Sequence, residues 1–185
     1  MPKKEVIEKE AKGLVARNDY TLLNSTLTWD TKLVHINFYY TNNLIETKYP
    51  NIHIRIRCTG EKMCLQIKNR IKQEHNYREC IEYEIEMAQI PIQIDEKTLR
   101  QTWGDYCFGD VKLLGFLVTE RAIKNIGSAR VMLDRNVYNG KEDYEIEIEC
   151  DSIEVAGQTI TALELDDKMK LAHGKYERFC QTLNS

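Results

Sequence analysis

Four segments of this 185-residue chain alternate charged and apolar residues with a period of two. Glu8, Glu10 and Lys12 do so in IEKEAK, Arg55 and Arg57 in HIRIR, Glu82, Glu84 and Glu86 in IEYEIEM, and Glu145, Glu147 and Glu149 in YEIEIEC. On a β-strand, residues i, i+2 and i+4 share one face at intervals of about 7 Å, so each segment presents a row of ionisable groups. For any one strand the simplest account is a charged face in water and an apolar face on a core. Recurrence in four strands, with both signs of charge, admits another: a closed barrel whose charged faces all point inward, able to hold a metal and a polyanion.

The composition supports a globular fold of one domain spanning residues 1–185, since 42% of the residues are hydrophobic and 30% charged. A formal net charge of -3 provides no basic face for nucleic acid, so a polyanion must bind locally. The opening MPKKEVIEKE has no apolar export segment, and no run of about 18 apolar residues follows, which predicts a cytoplasmic protein away from membranes. Six scattered cysteines without a C-x-x-C spacing read as reduced structural thiols, and the four histidines show no zinc-ligand spacing.

Turn and breaker residues divide the chain into eight expected strands, at 5–12, 32–40, 52–58, 61–69, 77–87, 111–124, 128–138 and 143–150. Thr59-Gly60 and Asn139-Gly140 are hairpin signals, and Gly115 suggests a bulge. Helices are expected over 19–27, capped by Asn18, over 96–103, capped by Asp95, and from about residue 158 onward. Eight strands fit a closed antiparallel barrel, mainly β with a few flanking helices, whose interior accommodates side chains or one small ligand.

The E-x-E-x-K of Glu8, Glu10 and Lys12 resembles the signature of the CYTH domain, the fold of the triphosphate tunnel metalloenzymes, and stand-alone bacterial members above all. The resemblance continues in order through Arg55 and Arg57, Lys68 in LQIK, Glu82 and Glu84 in EYE, Arg121 in VTER, Asp134 in VMLD, Glu145 and Glu147 in YEIEIE, and Lys175 in KYERF. One departure is Thr41, which follows Tyr39 and Tyr40 where many relatives carry an aspartate. The resemblance implies a tunnel in which Lys12, Arg55, Arg57, Lys68, Arg121 and Lys175 hold phosphates, as forked guanidinium groups and ammonium groups suit. It implies Mg²⁺ or Mn²⁺ held by Glu8, Glu10, Asp134, Glu145 and Glu147, because these hard cations prefer carboxylate oxygens shared with substrate phosphates.

Catalytic roles are expected for Glu145 or Glu147, orienting or deprotonating water, and for Lys12; Glu82 and Glu84 join as further tunnel acids. Glu149 and Glu86, in the same phase, are expected beyond the tunnel mouth. The implied activity is metal-dependent hydrolysis of a triphosphate: inorganic triphosphate, or an organic triphosphate such as thiamine triphosphate or a nucleotide. Class IV adenylate cyclase, which makes cyclic AMP, is the alternative on the same scaffold. A non-catalytic polyphosphate- or nucleotide-binding module ranks below both, a lipocalin-like carrier of apolar cargo is disfavoured by the charges, and a homodimer is a further implication of the resemblance.

Overall fold

The computed structural model describes residues 4–183. Eight long strands run β1 (Lys4–Leu14), β2 (Thr31–Thr41), β3 (Ile52–Thr59), β4 (Lys62–Glu74), β5 (Tyr77–Glu86), β7 (Val111–Ile126), β8 (Ala129–Tyr138) and β9 (Lys141–Glu149), with the two-residue β6 (Gln93–Ile94) between β5 and β7. They pair antiparallel in the order β2-β3-β4-β5-β1-β9-β8-β7, and β7 pairs back onto β2 to close the barrel. The short β6 adds only an edge pairing to β7. At Gly115 the register slips, Tyr39 facing Gly115 while Tyr40 faces Leu113, so Leu114 is the extra residue of the expected bulge.

The core lies outside the barrel wall. Ala11, Val131, Leu133, Ile146 and Ile148 alternate with the charged residues of their strands and pack, with Leu23 and Ala156, beneath helices α1 (Arg17–Thr26) and α4 (Ile153–Ala162). On the opposite wall Ile54, Ile56, Leu65 and Ile67 pack with Ile45 of α2 (Asn43–Lys48) and Leu99 of α3 (Glu96–Thr102). Helix α5 (Lys175–Gln181) fills one end of the lumen, where Phe179 meets Tyr39, Leu117 and Tyr138.

Three helix boundaries differ from expectation. Asn18 does not cap α1; Ala16 holds that position without a side-chain bond, because β1 ends only three residues before the helix and its exit sets the start. Helix α4 begins after the Ser152 cap, five residues ahead of the expected start. Helix α2 was not anticipated: its cap Asn42 accepts from the Ile45 N–H and donates to the Phe108 and Asp110 carbonyls, a role invisible without the long-range partner. Asp95 caps α3 as expected, accepting from the Thr98 N–H.

A Cβ added at Gly115 would lie 2.7 Å from Cζ of Phe179, a ring fixed on its other sides by Tyr39 and Tyr138. Gly115→Ala is therefore expected to destabilise the protein by about 1–3 kcal/mol and to loosen α5 first. Denaturant midpoints, with amide exchange of residues 175–181, check this; unchanged protection of α5 would contradict it.

Candidate functional site

Closing the sheet turns the period-two charges of every strand into one lumen. Register places Lys12 opposite Glu147 and Glu10 opposite Glu149 across β1 and β9, and Glu145 opposite Asp134 across β9 and β8. On the other wall Arg55 faces Gln66 and Lys68 faces Glu82. The central cavity is lined by Glu8, Glu10, Lys12, Arg55, Arg57, Lys68, Arg121, Glu147 and Lys175 from the expected set. Arg70, Arg78, His53 and Glu149 line it as well.

Ion pairs hold this charge in place. Lys12 sits 2.5 Å from Glu10, and Lys68 is 2.5 Å from Glu8 and 3.5 Å from Glu10. Arg55 donates to Gln66 at 2.7 Å and to Glu82 at 2.9 Å. Deeper in the lumen Arg121 forks onto Asp134 at 2.8 and 2.6 Å and reaches Glu147 at 2.5 Å. Lys175 enters from α5 to contact Asp134 at 2.9 Å, Glu147 at 2.5 Å and Glu145, while Arg178 ties Glu145 at 2.6 Å to Asp143 at 2.8 Å.

These contacts set the protonation states. Burial alone would raise Glu147, but Lys175, Arg121 and Lys12 outweigh it and hold the carboxyl well below the usual range. Burial pushes Glu145 up despite Lys175 and Arg178. Burial opposes ionisation of Glu10 and Glu82 too, yet Lys12 and Lys68 keep the first low, and Arg55 and Lys68 the second. Arg57 is the exception among the cations: burial, with Arg55 and Arg121 nearby, pushes it down to about 10. Its Nε donates to Asn37 at 2.9 Å, and no carboxylate of the described residues lies within ion-pair distance.

The structure separates the expected acids into two groups. Asp134, Glu145 and Glu147 bring carboxylate oxygens within 4.8 Å of one another, a spacing that suits a cation, but the Lys175 ammonium already stands among them. Glu8, Glu10, Glu147 and Glu149 face the cavity. Of these, Glu149 corrects the expectation that it lies beyond the mouth: it lines the cavity, and burial with neighbouring Glu8 and Glu147 pushes its carboxyl up. Its phase with Glu145 and Glu147 was legible, but the stagger that sets it opposite Glu10 was not. Glu82 and Glu84 do not line the central cavity; with Glu149, Asp151, Ser128 and Arg130 they form the open mouth opposite α5. Glu84 accepts from Gln66 at 2.9 Å.

Removing the ammonium of Lys175 would leave three buried carboxylates short of a counter-charge. Lys175→Met is expected to cost about 3–5 kcal/mol at neutral pH. Stripped of that partner, the acids' folded-state pKa values rise, so the variant regains stability as pH falls and they protonate. Melting temperatures of variant and parent that converge between pH 7.5 and pH 5 would bear this out, and a gap that widens on acidification would contradict it.

No curated protein matches the sequence. Solved structures do match its fold. A candidate adenylate cyclase from Bacillus halodurans aligns with a TM-score of 0.73 at 22% identity, covering 95% of this chain and 98% of that one. A candidate adenylyl cyclase from Hippeastrum, whose dominant activity is that of a triphosphatase, aligns at 0.72 and 18% identity, covering 94% and 95%. A Pyrococcus horikoshii protein aligns at 0.64 and 17% identity, covering 93% and 98%. The CYTH domain family model matches residues 6–178, and the chain, with its closed barrel and charged lumen, belongs to the CYTH domain family.

Proposed function

We propose that this chain, read as one CYTH domain, is a divalent-metal-dependent triphosphatase that hydrolyses inorganic triphosphate or an organic triphosphate inside its barrel. The observation that carries the reading is Arg57, a half-buried guanidinium facing the cavity without a carboxylate partner among the described residues. Such a group is costly unless an anion completes it. Arg55, Lys68, Lys12 and, deeper, Arg121 and Lys175 extend the positive surface, and a phosphate chain threading it would draw on all of them.

Binding an anion there displaces charge. Lys12 and Lys68 turning to phosphate release Glu10 and Glu8, whose carboxylates then need a cation of their own. Those two acids with Glu147 or Glu149 make an oxygen donor set suited to Mg²⁺ or Mn²⁺, whereas the Asp134 and Glu145 carboxylates are already satisfied by Arg121, Lys175 and Arg178. When bound, the cation would supply positive charge that neutralises the charge developing on the phosphate oxygens. Triphosphate and divalent cation are therefore expected to bind cooperatively. Calorimetric titration should show triphosphate affinity rising at least about tenfold with Mg²⁺ present, and Glu10→Gln abolishing that gain; independence of the two would contradict the exchange of partners.

In the chemical step a water oxygen forms a bond to the terminal phosphorus as the bridging P–O bond opposite breaks, releasing phosphate and the shortened chain. Arg57, Arg55 and Lys12 spread the charge on the phosphoryl and departing oxygens. Glu147, kept ionised at the cavity wall, accepts a hydrogen bond from the water and orients it; a loose transition state asks for orientation more than for a strong base. Glu145 acts at one remove, by fixing Lys175. Cyclisation of ATP has less support: among the described residues no aromatic ring lines the open mouth, where acids outnumber Lys9 and Arg130.

Phosphate release from inorganic triphosphate, thiamine triphosphate and ATP with Mg²⁺ or Mn²⁺, with cyclic AMP followed for ATP, tests the reading. Release is expected, lost in Glu10→Gln and lowered about 10²–10³-fold in Arg57→Gln. Tight triphosphate binding without any release would instead make the barrel a binding module, and cyclic AMP as main product a cyclase.

A further inference from the structure

The cavity extends past the phosphate-facing cations toward α5. From Arg57 to His53 along β3 is four residues, about 13 Å at the rise of a strand, and both line the same cavity. Beside His53 stand Lys68 and Arg70 on β4, Arg78 on β5, and Gly174 at the start of α5. The opposite mouth carries Glu8, Glu82, Glu84, Glu149 and Asp151 against Lys9 and Arg130, a net negative lining. A phosphate chain longer than three would be repelled at the mouth and has only the α5 end to enter.

That end holds polar groups left incomplete by the protein. Arg78 is only 4% exposed, its Nε has no hydrogen-bond partner, and its guanidinium reaches a backbone carbonyl, that of Ala172, at 2.8 Å. No carboxylate of the described residues lies within ion-pair distance of it, although Glu10 is its strand neighbour; Glu10 is taken by Lys12 and Lys68. The buried Nε2 of His53 is likewise unpartnered, and burial pushes the ring down to about 3, so it stays neutral. Arg70 is held in place by Asn51 at 3.0 Å and Glu177 at 3.3 Å, and Glu177 is also bonded to the Gly174 N–H. A Cβ added at Gly174 would lie 3.3 Å from Glu177 Oε2 and 3.4 Å from Arg78 Nη1, so the backbone there approaches both side chains closely.

We propose that the α5 end of the tunnel is an additional anion subsite, built from Arg78, His53 and Arg70, that receives a fourth phosphoryl group and makes linear inorganic polyphosphate the preferred ligand. Arg78 presents its free N–H face to phosphate oxygens, His53 adds a neutral donor, and Arg70 supplies field from a fixed position. This rests on the triphosphatase reading, since it presumes that the first three phosphoryl groups occupy the stretch from Arg57 to Lys12.

The test is calorimetric binding of inorganic triphosphate and tetraphosphate, without divalent metal so that neither is consumed, to the parent protein, Arg78→Gln and Arg78→Lys. In the parent, tetraphosphate is expected to bind at least tenfold tighter than triphosphate. Arg78→Gln should cut that preference to about twofold while moving the triphosphate Kd less than threefold, and Arg78→Lys should restore part of it. Equal affinities in the parent, or equal weakening of both ligands in Arg78→Gln as a purely structural role through Ala172 would give, overturns the subsite. Failure of tetraphosphate alone to bind the parent overturns the subsite, and failure of both ligands overturns the triphosphatase reading along with it.

Discussion

The fold depends on the mutual neutralisation of charges that face each other across a closed lumen. A barrel with this many buried acids and bases is tolerable only because nearly every one has an opposite within reach: Glu10 with Lys12 and Lys68, Glu147 with Arg121 and Lys175, Glu82 with Arg55. The hydrophobic drive has moved to the outside of the wall, where α1 and α4 cover one side and α2 and α3 another. Helix α5 belongs to both systems. Phe179 docks it on the apolar end of the lumen, and Lys175 and Arg178 complete the innermost acids.

The same arrangement makes the lumen a site. Internal ion pairs stand where a polyanion and a cation could replace them, and the exchange conserves charge. The two cavity-lining cations with no carboxylate of the described residues within ion-pair distance, Arg57 and Arg78, sit at different levels of the cavity and give the exchange a direction. Acids at the open mouth add to that direction, since they leave the α5 end as the favourable place for negative charge.

Much of this was legible in the sequence because a strand's period of two is robust: Glu8, Glu10, Lys12 and Glu147 line the cavity, and Glu145, in phase with Glu147, is buried against Lys175 and Arg178. What escaped depends on relations between strands. The stagger of β1 against β9 brings Glu149 inside, and nothing local to YEIEIEC announces it. Arg78 shares its phase with Glu82 and Glu84, but an arginine in phase with a row of acids carries no local sign that it lacks a carboxylate partner in the fold. Arg178 and Asp143 meet only because a helix enters a barrel end, which no periodicity encodes. Asn42 and Ser152 show the same limit for caps, whose helices are short and anchored by distant segments or by the exit from a strand.

The central claim is that a metal-bearing polyphosphate takes the place of the lumen's own ion pairs. A crystal structure with triphosphate and Mn²⁺ tests it directly, because the manganese is located by its anomalous scattering. The account predicts phosphate density running inward from Arg57, with Lys12 and Lys68 turned onto it, and manganese against Glu8 and Glu10. Manganese within Asp134, Glu145 and Glu147 with Lys175 expelled, or triphosphate on the outer surface with the Lys12–Glu10 and Lys68–Glu8 pairs intact, would contradict it.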